Sequence, residues 1–368
     1  MSTFAPFTME RWQSTYENRV DYNLSESGVH PLTLGELVAL AAGDRDAAGI
    51  DDTPIGYGQS NGSDMLRARI AALYANSSGA TVSDNDDIVV CNGSAEANFL
   101  AMTELVRPGD EVAILVPTYM QTYGLTQNLG ARVSEIPLRE ELGWQPDPDQ
   151  IRSAVTDATR VIVVTNPGNP SGAVLNEDVR RAIVEAAERT GAWILADEVY
   201  TGAELDGRAT PSFHGLHERV VATGSLSKAY GLPGLRIGWA HTDPRTAAAI
   251  WARSDYTTIS TGELTDRLAC VALNAAVRPK LLARTRGIIA EGLGILTTWM
   301  REHGGFHWHD PAAGAICFAR YDADIPSDVL AERLRTEQSV LIVPGSHFGL
   351  GRYIRFGTGA PHLLGAAL

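Results

Sequence analysis

Between residues 87 and 240 the chain alternates short apolar runs with amphipathic stretches. The runs are DIVV (87–90), EVAILVP (111–117), RVIVVTNP (160–167), WILADEVY (193–200), RVVATGS (219–225) and RIGWA (236–240). They are rich in Val and Ile and too short for buried helices, so each reads as a buried strand. Helical spacing falls between them at 94–106 and 174–190. A further helical stretch precedes them at 64–76, with Met65, Ile70 and Leu73 as its apolar positions. Strands alternating with helices predict an α/β domain with a largely parallel sheet. From about 265 the pattern changes to a long helical stretch and then short strands near 313–320, 339–343 and 353–357, which predicts a smaller α+β lobe. Residues 1–35, with Gly28, Pro31 and Gly35, read as irregular.

The 368 residues are 44% hydrophobic and 20% charged, enough apolar material for a large core. A formal net charge of −14 repels phosphate backbones, so no nucleic-acid partner is expected. Cys91, Cys270 and Cys317 are scattered and form no disulfide framework, which fits a reducing cytoplasm. The first residues lack a basic segment followed by an apolar one, and no run approaches the roughly 20 apolar residues of a membrane span.

In open α/β sheets, ligands gather where strands end and loops begin. Lys228, one of only two lysines in the chain, stands there in SLSKAYGLPGLRIG (225–238), among small residues that permit close approach. A lysine with a lowered pKa attacks carbonyls to form a Schiff base. SLSK also fits the serine–lysine motif of penicillin-binding proteins. However, the SDN triplet (83–85) precedes it instead of following, and no Lys-Thr-Gly exists. Asp197 closes a strand and needs either a cap or ion-pair role or a cationic ligand atom. TNPGNPSG (165–172) is a turn whose Asn169 could donate to a ligand oxyanion. Gly93 and Ser94 open a helix, a natural phosphate site, with simple capping by Ser94 as the alternative. Arg236 and Arg355 are surface arginines or anion clamps. GYGQSNG (56–62) misses a dinucleotide fingerprint by one position, and HWHD (307–310) lacks a third ligand, so no metal is expected.

The markers YG, NGSAEA, PTY, NPGNPSG, DEVY, SLSKAYGLPGLRIG and IRFG occur in an order that resembles the fold-type-I pyridoxal-phosphate enzymes, the class I/II aminotransferase family. The resemblance runs from about Tyr57 to Arg355. It implies a large domain with a mostly parallel seven-stranded sheet (51–265), a small C-terminal domain (266–368), and an N-terminal segment (1–50) that joins the small domain and lines the substrate entrance. It implies pyridoxal 5′-phosphate as cofactor, a small amino-acid substrate, and a cytoplasmic homodimer with shared active sites. Lys228 would carry the cofactor and move the Cα proton. Asp197 would pair with the pyridine nitrogen. Tyr200 and Asn169 would bond the phenolic oxygen, and Tyr119 would stack on the ring. Ser94, Ala95, Ser225 and Arg236 would hold the phosphate, with Tyr57 reaching it from the neighbouring subunit. Ala95 stands where many relatives carry a hydroxyl, so only its backbone N–H remains. Arg355 would grip the substrate carboxylate.

LSESGVHPLTLGELVAL (24–40) and VLIVPGSHFG (340–349) further resemble the family's capreomycidine synthase-type cyclases. That likeness implies elimination of a β-hydroxyl from a hydroxylated arginine and closure by its guanidine, a step of antibiotic biosynthesis. Glu26, Gly28 and His30 then become substrate-side residues. His30 is a second acid/base or a packed loop histidine, and Glu26 is a guanidinium acceptor or a solvated side chain. An amino-acid aminotransferase using a 2-oxo acid is the rival expectation. A regulator built on this domain would need a basic DNA-binding segment ahead of it. Only about fifty residues precede Tyr57, and the chain is acidic.

Overall fold

The computed structural model describes residues 4–42, 50–78 and 85–368. Ser83 and Asp84 of the SDN triplet lie outside the described residues. The segment read as irregular begins with a helix, α1 (Thr8–Tyr16), followed by a two-residue strand, β1 (Tyr22–Asn23). The spacing of Met9, Trp12 and Tyr16 was the signal for that helix. Met9 is buried, and Trp12 Nε1 donates to the Ile342 carbonyl at 3.0 Å. Helix α2 (Leu34–Leu40) opens with a capping box between Thr33 and Glu36. In α3 (Asp64–Ser78) the inner face carries Leu66, Ile70 and Tyr74, four residues apart, whereas Met65 is 52% exposed. The apolar stripe is therefore rotated by one residue, about 100°, from the Met65 register.

The main sheet contains β2 (Ile88–Asn92), β3 (Glu111–Val116), β4 (Arg132–Arg139), β5 (Gln145–Pro146), β6 (Thr159–Thr165), β7 (Trp193–Asp197), β8 (Val220–Ser225) and β9 (Ile237–His241). Their order is β2-β9-β8-β7-β6-β3-β4-β5. The β4–β3–β6–β7–β8 run is parallel, and β9 is antiparallel to both β8 and β2. The expected seven strands are thus joined by an eighth, the two-residue β5, antiparallel to β4. Strand β4 escaped the sequence reading because it runs near the sheet edge, with only Ile136 fully buried. Alternate residues feed two cores. Val112, Ile114, Val163 and Leu195 pack under α4 (Ser94–Leu105). Ala113, Ile162, Val164 and Ile194 pack under the helix Glu177–Thr190. Burial on both faces explains the continuous Val/Ile runs. That second helix starts three residues later than its apolar pattern, where Asn176 accepts from Val179 N–H at 2.9 Å.

The helices Glu263–Leu273 and Arg278–His303 lead to a second, antiparallel sheet. It contains β10 (Phe306–Trp308), β11 (Ile316–Tyr321), β13 (Val343–Pro344) and β14 (Tyr353–Gly357), in the order β10-β11-β14-β13. Strand β12 (Val340–Leu341) pairs in parallel with β1, tying the N-terminal segment to this region. His307 and Trp308 of HWHD belong to the edge strand β10 while His309 and Asp310 follow it outside any strand, and His307 Nε2 lies 2.8 Å from Asp322 Oδ1. None of the described helices is long and apolar enough to cross a membrane.

Candidate active site

The carboxyl ends of the parallel strands open into a cavity of about 200 Å³. Its floor begins at the N-terminus of α4. Gly93, at φ 81°, precedes the helix without a side-chain cap among the described residues, so the N-terminal end of α4 meets the cavity at Ser94 and Ala95. Arg236 lies against them. Its Nη2 donates to the Asn92 carbonyl at 3.3 Å and its Nη1 to the Pro233 carbonyl at 3.1 Å. Arg236 itself sits at φ 53°, a conformation non-glycine residues rarely adopt. A Cβ at Gly93 would strike the Arg236 guanidinium, and one at Gly238 would strike Ser94 N, so both glycines are what let the helix end and the arginine meet. Helix dipole and guanidinium together make a cradle for one anion.

Asp197 ends β7 and is buried. Asn98, one helical turn past Ser94, donates Nδ2–H to Asp197 Oδ2 at 2.9 Å, and Val199 N–H donates to Oδ1 at 3.2 Å. Thr223 on β8 donates to Asn98 Oδ1 at 2.8 Å and fixes the amide's orientation. Both partners of Asp197 are neutral. Burial pushes its pKa up, opposed by these bonds and by the Lys228 charge. Lys228 lines the same cavity from the loop after β8. Tyr200 is 2% exposed and lines it from the turn after β7.

Arg355 on β14 is 1% exposed. Its Nη1 donates to Asn169 Oδ1 at 3.0 Å and its Nη2 to the Ser25 carbonyl at 2.5 Å, and its Nε has no partner among the described residues. The Arg355 bond assigns Asn169 Oδ1 as acceptor and leaves the Asn169 amide N–H for the cavity. Gln13 of α1 donates to the same Ser25 carbonyl at 2.7 Å, locking α1 to the Arg355 site. Tyr119 donates its hydroxyl to Glu10 at 3.2 Å and stands edge-on to Phe7 at 5.1 Å.

Glu10, Glu17 and Glu26 line the cavity together. Among the described residues none of the three forms an ion pair. Desolvation, followed by the charges of Glu26 and Glu10, pushes the Glu17 pKa up. Arg355 lines the same cavity and feels the charges of Glu26 and Glu10, but no cation comes within ion-pair distance of the three carboxylates among the described residues, which leaves them able to take a further one.

The structure gathers Glu26, Ser94, Ala95, Tyr119, Asn169, Asp197, Tyr200, Lys228, Arg236 and Arg355 around this cavity. Gly28 and His30 line an adjoining chamber of about 290 Å³, to which Glu26 and Lys228 also belong. His30 is exposed and edge-on to His362 at 5.4 Å. Ser225 does not line the cavity. Its Oγ accepts from Ser227 N–H at 3.0 Å, and Ser227 lines the cavity instead. Tyr57 is 89% exposed and outside it. Glu10, Gln13 and Glu17 were missed with α1, and Asn98 looked like an ordinary polar helix residue. Its four-residue spacing from Ser94 was the available signal.

A family model described as aminotransferase class I and II matches residues 33–362. Capreomycidine synthase of Streptomyces vinaceus is 33% identical over 356 residues, 96% of this chain and 89% of that protein. Among solved structures, a PLP-dependent aminotransferase from Streptococcus suis aligns at TM-score 0.91 and 33% identity, covering 99% of this chain and 96% of that one. The PLP-dependent cyclase OrfR aligns at TM-score 0.87 and 26% identity, covering 98% and 95%.

Proposed function

Because the chain belongs to the class I and II aminotransferases, a fold-type-I enzyme family whose cofactor is pyridoxal 5′-phosphate, we propose that it deprotonates Cα of an amino acid with a cationic side chain. The preferred substrate is a hydroxylated arginine, and the reaction is a cyclisation. The observation that carries this reading is the cluster of Glu10, Glu17 and Glu26, which faces the cavity without an ion-pair partner among the described residues. A guanidinium supplies the missing charge and takes a carboxylate bidentately. The likeness to capreomycidine synthase and to OrfR supports the cyclase.

The residues fit the cofactor. The Gly93 and Gly238 cradle with Arg236 suits its phosphate, and buried Asp197, bonded only to neutral donors, suits a protonated ring nitrogen. Ser94, Ala95 and Arg236 would hold the phosphate, Tyr200 and Asn169 would hold the phenolic oxygen, Tyr119 would cover the ring, and Lys228 would carry the aldehyde carbon. Bound there, the cofactor supplies a protonated pyridine that withdraws electrons from Cα. Arg355 grips the α-carboxylate with help from Asn169. Lys228 Nζ takes the Cα proton. The Cβ–O bond breaks, the hydroxyl leaves as water after His30 protonates it, a guanidine nitrogen bonds to Cβ and gives up one proton, which restores His30, and Lys228 returns its proton to Cα. Substrate thus becomes cyclic product plus water. Gly28 lies beside the lysine: a Cβ added there would sit 3.6 Å from Lys228 Cδ.

A homodimer accounts for the exposed apolar side chains. Ile55, Tyr57 and Tyr256 are 87%, 89% and 92% exposed. Tyr57 pairs with Gly262 and Trp251 bonds Ser60, so their segments are neighbours. Such a patch fits a second copy, with Tyr57 reaching the other copy's phosphate. We read 1–50, 51–265 and 266–368 as entrance segment, cofactor domain and small domain. The three cysteines, all buried, fit a cytoplasmic enzyme. The likeness to the Streptococcus suis aminotransferase supports a second reading, transfer of the amino group to a 2-oxo acid.

One experiment separates them. Purified enzyme is incubated with arginine or β-hydroxyarginine, with and without pyruvate, and products are followed by mass. Loss of one water from the hydroxylated substrate without pyruvate supports cyclisation. Alanine formed in step with a 2-oxo product supports transamination and overturns the cyclase.

A further inference from the structure

Two rows of side chains run along α1 at helical spacing. Met9, Trp12 and Tyr16 pack toward the C-terminal part of the chain. Met9 is buried beside Phe318, Val343 and Phe348, Trp12 Nε1 donates to the Ile342 carbonyl at 3.0 Å, and the Arg335 guanidinium lies 4.1 Å from the centre of the Tyr16 ring. That row pins the helix in place. Glu10, Gln13 and Glu17, three and four residues apart, form the other row and line the cavity. The middle member is the neutral one, and it is only 9% exposed.

The orientation of the Gln13 amide is fixed by its neighbours. Its nitrogen lies 2.7 Å from the Ser25 carbonyl and 3.2 Å from Ser25 Oγ. A carbonyl only accepts, so the atom facing it is Nε2. Ser25 Oγ donates its own hydrogen to Asn23 Oδ1 at 2.7 Å, so toward Gln13 it too is an acceptor. Both amide hydrogens of Gln13 are thereby engaged, and Oε1 is left. Oε1 accepts from none of the described residues, and it is not among the side-chain atoms buried without a partner, so it meets the cavity that Gln13 lines. The same Ser25 carbonyl accepts from Arg355 Nη2 at 2.5 Å. One carbonyl therefore holds Gln13 and Arg355 within two hydrogen-bond lengths of each other. A glutamate at 13 would turn a carboxylate oxygen toward that carbonyl and add a fourth like charge. The amide supplies an acceptor and avoids both costs. A guanidinium carries five N–H donors, more than one carboxylate takes.

We propose that Gln13 is a specificity-determining residue whose Oε1 accepts an N–H of the substrate's guanidinium, at a place set by the carbonyl that also holds Arg355. The assignment rests on the cationic-substrate reading given above. The test titrates holoenzyme with arginine and with norleucine, which has an aliphatic chain and no terminal N–H, and reads each Kd from the cofactor absorbance. In Gln13→Met any loosening of Arg355 weakens both ligands alike, so the ratio of the two Kd values isolates Oε1. That ratio should favour arginine at least about tenfold less than in the wild type. Gln13→Glu keeps an acceptor and should keep the preference. An unchanged ratio in folded Gln13→Met overturns the proposal, as does equal loss of the preference in both variants. If neither variant folds, a crystal structure of the wild type with arginine bound decides. A guanidinium nitrogen within about 3.2 Å of Gln13 Oε1 supports the assignment, and any other placement overturns it. A wild type that binds norleucine as tightly as arginine refutes the cationic-substrate reading itself, and the assignment falls with it.

Discussion

Asn98 holds Asp197 in place: its amide reaches 2.9 Å from helix α4 to the carboxylate at the tip of β7, while Thr223 fixes its other face. The carboxylate is thus oriented before any ligand arrives. Asn98→Ala leaves one buried carboxylate oxygen unsatisfied. Hydrogen bonds to charged groups are worth about 1.5–3 kcal/mol, so cofactor affinity should fall roughly tenfold to a hundredfold. Equilibrium dialysis with the cofactor measures it, and unchanged affinity contradicts the role.

Lys228 is the lysine of the cavity and the expected covalent anchor. Borohydride reduction followed by intact-mass measurement should find the cofactor attached to the wild type and not to Lys228→Ala. Attachment persisting in the variant would place the anchor elsewhere.

Arg355 is buried between Asn169 and the Ser25 carbonyl, a geometry that uses its planar fork. Lysine supplies charge without that fork. Arg355→Lys should raise KM on the order of a hundredfold while kcat changes less. Steady-state kinetics separate the two, and an unchanged KM would remove the carboxylate role.

Glu17 titrates above the ordinary glutamate value because it is desolvated beside Glu26 and Glu10. As pH falls it takes up a proton earlier than an exposed glutamate and loses its attraction for a cation. The preference for arginine-type over citrulline-type substrates should therefore decline on acidification. Glu17→Gln should flatten that decline and lower the preference at neutral pH by roughly tenfold. The ratio of kcat/KM values across pH gives the answer, and identical profiles would refute it.

Glu198, next to Asp197, is buried and accepts from Ser212 Oγ and Phe213 N–H, both at 2.8 Å. Burial outweighs these bonds and raises its pKa from 4.5 to about 7. The folded state then holds a proton that the unfolded chain has released, so this group's contribution to stability declines as pH rises from about 4.5 through about 7. Glutamine keeps the acceptor and never ionises. The Tm of Glu198→Gln minus that of the wild type should be more positive at pH 8 than at pH 5. A difference independent of pH would show that the burial cost is met another way.

Asp197 at the end of β7, Lys228 in the loop after β8 and Arg355 within β14 each interrupt an apolar or glycine-rich pattern, and they became readable together because the markers that carry them occur in the family's order. The parallel sheet was readable because burial on two faces writes continuous Val/Ile runs. Strand β4, near the sheet edge, carries no such run. Asn98 was harder to read for a different reason: its spacing from Ser94 places it on the same helix face, but its partners are 99 and 125 positions away. Glu10 and Gln13 belong to a nine-residue helix, with Glu17 just past its end, whose apolar face is covered by residues near the other end of the chain. Ser225 faces away because the turn after β8 spends its hydroxyl on Ser227.

The reversal of β9 carries a consequence for how the enzyme is loaded. Arg236 and Gly93 are distant along the polypeptide and become neighbours only once the outermost pair of strands has zipped. A chain whose edge has peeled open would keep most of its interior yet lose the seat proposed for the phosphate. Vitamin uptake therefore reports the closing of one border of the sheet, and the loaded form is the one in which that border is sealed.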